Sequence, residues 1–246
     1  MRTVLWFLRT FWFMVTAIPQ MKKAEKMKES GDPGFHEFVD SRVRVWAQNM
    51  MKYAGMTAEI HGQENFTDVP AVYVANHQSN FDIPLMLSSL PTTHGIVAKD
   101  SIGKIPLIRT WMDYLGCVFL DRSDARKAIR TLNEAGSQIP EGRSITIFPE
   151  GTRSRCDDVG EFKNGAFKTA FKYNAPIVPV AIDGTYRIME ANGGKWIKPG
   201  HVAITVLPMI ETEGMDRAQQ KALPELVRQQ IIDAREATRE EIAKRK

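Results

Sequence analysis

Hydrophobic positions along this chain change their rhythm twice. The first eighteen residues, MRTVLWFLRTFWFMVTAI, are the most apolar stretch, carrying Val4, Leu5, Trp6, Phe7, Leu8, Phe11, Trp12, Phe13, Met14, Val15 and Ile18 before Pro19. As a helix at about 1.5 Å per residue, the stretch is about 27 Å long, against a hydrocarbon core of about 30 Å. Arg9 near its middle costs about 2.5–3.5 kcal/mol at a bilayer centre, which makes a full span marginal. A cleaved leader is disfavoured, because Arg9 interrupts the apolar region and no small-x-small site precedes Gln20. The pattern predicts a helix lying in a membrane interface that ends at Pro19. Trp6 and Trp12 then sit at headgroup level, with Lys22, Lys23, Lys26 and Lys28 beside anionic phosphates. A buried core helix and a true span are the alternatives.

After a turn at Gly31, Pro33 and Gly34, residues 35–53 place Phe35, Phe38, Val39, Val43, Trp46, Met50 and Tyr53 at helical spacing. This predicts a second amphipathic helix, either a core element or the other arm of a membrane-docking hairpin. From about residue 57 the rhythm becomes short β-branched runs between helical stretches. The runs are AVYVA at 71–75, GIVA at 95–98, GCVFL at 116–120, ITIF at 145–148, IVPVAI at 177–182 and VAITVL at 202–207. Helices are expected near 83–90, 104–114, 124–138, 164–174 and 217–244. The last of these is rich in both charge signs and reads as a solvated face. Alternation of this kind predicts an α/β fold, a sheet covered by helices. The chain divides into a two-helix unit at 1–54 and an α/β unit at 55–246.

Composition narrows the function classes. At 246 residues with 43% hydrophobic positions, the chain buries a full core. Its net charge of +4 suits anionic lipid or a phosphorylated substrate, and falls short of the clustered basic footprint of a nucleic-acid binder. Two cysteines, Cys117 and Cys156, imply no disulfide framework, and neither has metal-ligand spacing. His36, His61, His94 and His201 are scattered and read as surface or packed side chains, so no metal is expected.

Chemistry concentrates at strand ends. After AVYVA come Asn76, His77, Gln78, Ser79, Asn80, Phe81 and Asp82, then Ile83 and Pro84 to open a helix. The five-residue step from His77 to Asp82 lets a carboxylate meet one imidazole nitrogen while the other accepts a proton. The alternative is a packed histidine and a capping aspartate. A second strand runs into Phe148, Pro149, Glu150, Gly151, Thr152, Arg153 and Ser154. That turn offers an acceptor, a hydroxyl and a rigid cationic fork able to pair with phosphate oxygens, or is only a polar turn with a surface arginine. Arg122 after the 116–120 run and Lys99 after GIVA add cations at strand ends. Pro179, inside a strand run, predicts a sheet edge or a bulge.

Four segments, NHQSNFD at 76–82, GCVFLDR at 116–122, FPEGTRS at 148–154 and VPVAI at 178–182, resemble in order and spacing the four motifs of the glycerolipid acyltransferases with a His-x4-Asp signature. The bacterial 1-acylglycerol-3-phosphate acyltransferases are the nearest type. The likeness runs over about residues 55–210, and the N-terminal helices are similar to that group's membrane-docking motif. Cys117 and Val118 occupy variable places in the second motif, and the loop SRCDDVGEF before Lys163 is longer than the shortest versions.

The resemblance implies a mixed, largely parallel sheet flanked by helices. It implies acyl transfer from a thioester, acyl-coenzyme A or acyl carrier protein, to the free sn-2 hydroxyl of lysophosphatidate or another lysophospholipid, with no cofactor beyond that co-substrate. His77 is then the base and Asp82 its partner. Lys99, Arg122 and Arg153 hold the acceptor phosphate, Glu150, Gly151 and Thr152 shape the acceptor site, and Lys163 is a further phosphate candidate. Attack is direct, without an acyl-enzyme on Ser79, and backbone N–H groups of the turn after the first strand serve the oxyanion. The expected location is peripheral, on the cytoplasmic face of the inner membrane, with the bilayer as partner. A non-catalytic lipid-binding protein and a thioesterase or phospholipase are the competing classes.

Overall fold

A computed structural model describes residues 1–121 and 124–245. The first 54 residues form α1 (Arg2–Thr16), α2 (Ile18–Glu29) and α3 (Phe35–Ala54). There follow β1 (Met56–His61), β2 (Val72–Ala75), α4 (Asp82–Ser89), β3 (Gly95–Lys99), α5 (Pro106–Leu115), β4 (Val118–Leu120) and α6 (Ala125–Ser137). The chain continues through β5 (Ile145–Ile147), α7 (Gly165–Lys172), β6 (Ile177–Asp183), β7 (Gly200–Val206) and α8 (Arg217–Lys244). The strands make one sheet in the order β1-β7-β6-β2-β5-β3-β4. Every pair is parallel except β6 with β7. The mixed, largely parallel α/β sheet expected from the sequence is the fold observed.

Alternation along β2 sets the layers. Tyr73 and Ala75 join one buried cluster, together with Val180, Ile182 and side chains of α1–α5. Val72 and Val74 join a second cluster with Ile145, Ile147, Phe167 of α7 and Leu223, Val227 and Ile231 of α8. A strand buried on both faces needs no polar alternation, which is why AVYVA is apolar throughout. Phe35, Val39, Val43, Ala47 and Ala54 of α3 belong to the first cluster, so the N-terminal helices cover one face of the sheet.

Several expectations change and others hold. Pro19 does not end the N-terminal helix but opens α2, which bends by 41° from α1. A proline in the first turn loses only an N–H that would be unpaired anyway. No single helix among the described residues is long and apolar enough to cross a membrane, although the bent pair passes together by length and composition. Trp6 is half-buried rather than at headgroup level: its indole N–H donates to the Met50 carbonyl at 3.2 Å and its ring packs edge-on against Phe81. Trp12 does stand open, 66% exposed.

Pro179 lies in an interior strand, paired with Val74 of β2. On its other side the β7 ladder begins only at Val180, and the Leu207 N–H donates to the Pro179 carbonyl at 3.0 Å. Pairing resumes between Ile177 and Ile210, three residues back along β6 but four along the partner segment from the Val180–Val206 pair, so Pro179 sits at a bulge, one of the two placements the sequence predicts. The strand β1 carried too polar a pattern to be foreseen, and pairing with β7 along its whole length orders it.

The charges of α8 are not all on a solvated face. Arg235 is buried, and its Nη2 lies 2.9 Å from both Asp157 and Asp183; Arg239 pairs with the same two carboxylates. Burial alone would raise Asp183, but the guanidinium groups of Arg239 and Arg235 overcome it and hold its carboxyl below the usual carboxylate value. A depressed folded-state value stabilises above the unfolded-state value of about 3.9 and is lost as pH falls below it. Asp183→Asn is expected to cost about 3 kcal/mol at neutral pH. In urea titrations it should also flatten the loss of stability below pH ~4 seen in the parent.

Candidate active site

Consecutive parallel neighbours β2, β5, β3 and β4 release their carboxyl ends along one rim of the sheet. Such a row is where α/β sheets collect ligand-binding groups. His77 leaves β2, the turn with Glu150 and Arg153 leaves β5, and Lys99 ends β3. Arg122, which follows β4, lies outside the described residues.

The turn after β2 is built around the buried Asp82. Its Oδ2 lies 2.6 Å from His77 Nδ1 and accepts from the N–H groups of Gln78 at 2.7 Å and Ser79 at 2.9 Å. Its Oδ1 accepts from the Thr185 hydroxyl, supplied from just past β6. With the Nδ1 proton donated to this carboxylate, the Nε2 lone pair is the one that takes a proton. The His77 ring stacks on Phe148, with centroids 4.2 Å apart and planes at 22°, which fixes its tilt. Its side chain is 15% exposed, so the imidazole is open to a substrate yet mostly dry.

The turn after β5 is stitched to this one. Glu150, buried, accepts from the His77 N–H at 2.7 Å and the Gly160 N–H at 3.1 Å. Burial pushes its carboxyl above the ordinary value, against the pull of those two donors. The Ser154 N–H donates to the His77 carbonyl at 2.8 Å. Glu150 therefore shapes the site by fastening two backbone segments. Its oxygens face inward, where the sequence suggested an acceptor for a substrate hydroxyl. Gly151 has φ of +70°, a backbone conformation that calls for glycine, and the ammonium of Lys163 lies beside it, 2.9 Å from where a Cβ would stand. Thr152 is exposed. Arg153 turns toward the β2 turn, where Nη1 pairs with Glu190 at 2.9 Å.

These contacts occupy the polar groups of the turn. Ser79 is buried, its hydroxyl donates to Glu190 at 2.6 Å and accepts from the Phe81 N–H, so it is a structural hydroxyl. The backbone N–H groups assigned to an oxyanion are already taken: His77 by Glu150, Gln78 and Ser79 by Asp82, Asn80 by Glu190, and Phe81 by Ser79. They point into the protein because a sharp turn next to three carboxylates satisfies them there.

Sequence reasoning passed over Asn76, Thr185 and Glu190. Asn76 pins β2 to β6, giving a hydrogen bond to the Ile182 carbonyl at 2.9 Å and taking one from its N–H at 2.8 Å. A polar side chain closing an apolar strand was its available signal. Thr185 follows VPVAI by three residues, and Glu190 sits in a stretch without motif character. Among the described residues, no three His, Cys, Asp or Glu side chains group as a metal site.

The chain is similar to known proteins in both sequence and fold. The family model described as Acyltransferase matches residues 57–183. A chloroplastic 1-acyl-sn-glycerol-3-phosphate acyltransferase of Brassica napus is 36% identical over 174 residues, 70% of this chain and 49% of that protein. A 1-acyl-sn-glycerol-3-phosphate acyltransferase of Saccharomyces cerevisiae is 33% identical over 193 residues, 77% of this chain and 63% of that protein. Among solved structures, the 1-acyl-sn-glycerophosphate acyltransferase PlsC from Thermotoga maritima matches with a TM-score of 0.77 and 27% identity, covering 96% of this chain and 98% of that one. This chain belongs to the acyltransferase family and has the fold of PlsC. It spans about half the length of the first of these curated relatives.

Thr185→Val keeps the volume and removes the hydroxyl that Asp82 Oδ1 accepts from. A buried carboxylate oxygen left without its donor is expected to cost about 1–3 kcal/mol, read as a lower urea midpoint at unchanged slope.

Proposed function

We propose that this chain transfers an acyl group from a thioester to the sn-2 hydroxyl of 1-acylglycerol-3-phosphate, forming phosphatidate. The observation that carries the reading is the His77–Asp82 pair, 2.6 Å apart, on one rim with the Glu150–Arg153 turn in a chain of the acyltransferase family. The curated relatives and PlsC bear names for this acceptor.

In this mechanism the acceptor's phosphate lies among Arg153, Lys99 and Lys163, with Arg122 a further cation that the sequence resemblance supplies, because a dianionic monoester needs several cations and one arginine would leave it undercompensated. Its hydroxyl gives a proton to His77 Nε2 as the oxygen adds to the thioester carbonyl. The tetrahedral intermediate collapses with cleavage of the C–S bond, and the imidazolium returns the proton to the leaving thiolate. Asp82 stabilises the imidazolium and keeps the tautomer throughout. The donor is an acyl-coenzyme A or an acyl carrier protein, and no other cofactor takes part.

Both the acyl chain and the lysolipid partition into bilayers, and α1 suits docking there. Its outer face presents Val4, Leu8, Phe11 and Trp12, each at least 60% exposed, while Trp6 on the inner face touches Phe81, the residue before Asp82. Lys22, Lys23, Lys26 and Lys28 on α2 suit an anionic leaflet. This supports a peripheral seat on the cytoplasmic face of the inner membrane, with residues 1–54 as the docking unit and 55–246 as the catalytic one.

Thioester consumption with and without lysophosphatidate tests the activity. Turnover that requires acceptor supports it, acceptor-independent release of free acid would make the chain a thioesterase, and no consumption would leave a lipid-binding protein. His77→Ala and Asp82→Asn should each lower turnover by about 10²–10⁴-fold while lysolipid binding persists. Near-normal rates in either would remove the base assignment. Separately, replacing Phe11 and Trp12 by serine should weaken co-sedimentation with anionic vesicles about tenfold or more. Unchanged partitioning would exclude α1 as the docking face.

A further inference from the structure

Glu190 lies in a 3₁₀ turn, Glu190–Asn192, within the crossover from β6 to β7 and outside every motif the sequence brings forward. Its side chain is only 5% exposed, yet its carboxylate collects three donors from two separate segments. Arg153 Nη1 reaches Oε1 at 2.9 Å from the turn after β5. The Ser79 hydroxyl reaches Oε2 at 2.6 Å, and the Asn80 N–H reaches Oε1 at 3.2 Å, both from the turn after β2.

A guanidinium on a long flexible stem has many rotamers, and a ligand that must order it loses affinity by that entropy. Arg153 is held in advance. One of its five N–H donors is on Glu190, and the fork keeps further edges for a second acceptor such as a phosphate. Because Glu190 is itself anchored to Ser79 and Asn80, the guanidinium is placed relative to His77 through two hydrogen bonds rather than through its own stem.

We propose that Glu190 is a positioning residue for the acceptor's phosphate. It sets the plane of the Arg153 guanidinium beside the His77 turn, so the phosphate monoester is taken in the orientation that delivers its hydroxyl to His77. The proposal rests on Arg153 as a phosphate ligand, the reading given above. It differs from a role in stability alone, since a carboxylate that merely tied two turns together would affect folding and both substrates alike.

The test is steady-state kinetics of the full chain on lysophosphatidate dispersed in phospholipid vesicles, varying acceptor and thioester separately. Glu190→Ala is expected to raise the acceptor KM about tenfold while kcat and the thioester KM stay within about twofold. Glu190→Gln, which keeps an oxygen for Arg153, should recover most of the loss. In an Arg153→Ala background, Glu190→Ala should add little further, because the two residues act as one unit. Full additivity in the double variant, or a fall in kcat at unchanged acceptor KM, would overturn the proposal. If Arg153→Ala raises the acceptor KM and Glu190→Ala does not, the assignment of Glu190 alone falls. If Arg153→Ala itself leaves the acceptor KM unchanged, the phosphate reading of Arg153 falls and the proposal with it. Should the alanine variant fold poorly, judged by its thermal midpoint, Glu190→Asp, which draws the carboxylate back from Arg153 by one methylene, takes its place in the cycle with Arg153→Ala.

Discussion

The structure depends on how one sharp turn satisfies its polar groups. Between β2 and α4 the chain reverses over six residues, and the N–H groups of His77 through Phe81 leave the sheet with no ladder to join. Three carboxylates, with the Ser79 hydroxyl, receive them: Asp82 from the turn itself, Glu150 from the end of β5 and Glu190 from the β6–β7 crossover. Each buried carboxylate is costly without donors and each buried N–H is costly without an acceptor. The two demands meet only when the three segments are correctly assembled. An imidazole presented by such a turn is held by its backbone on one side, by Asp82 at Nδ1 and by the face of Phe148.

Rigidity at the rim is passed outward through the fold. Asp183 and Thr185 lie two residues apart at the end of β6, one held by α8 and the other bonded to Asp82. Asp157, a few residues past Arg153, shares the same two arginines. Arg228 adds bonds to the carbonyls of Val159 and Gly160 at 2.8 Å each, next to the N–H that Glu150 accepts. One helix far from the rim in sequence thus fixes both segments that frame His77. It does so with charged hydrogen bonds whose geometry is more demanding than apolar packing.

The N-terminal helices unite two requirements that pull in different directions. Their inner faces complete the core over the sheet, with Trp6, Phe35, Val39 and Val43 packed on it. The outer face of α1 leaves a run of aromatic and aliphatic side chains in the open. A helix that is both a core layer and an apolar exterior keeps the His77 turn within one side chain of whatever covers that exterior.

Local pattern alone determined much of this protein. Runs such as AVYVA and VPVAI are apolar because they are buried on two faces, so their alternation with helical stretches announced an α/β sheet covered by helices. His77 and Asp82 are five residues apart, close enough for the local chain to decide their meeting. Tertiary structure alone decided which polar groups remain available for chemistry. The N–H groups of His77 and Asn80, the hydroxyl of Ser79 and the carboxylate of Glu150 look available in a sequence, and they are occupied because groups more than seventy residues away reach them. The burial of Arg235 and the grip of Glu190 on Arg153 have the same origin. Hydrogen-bond satisfaction is a property of the assembled molecule, whereas hydrophobic periodicity is written residue by residue along the chain.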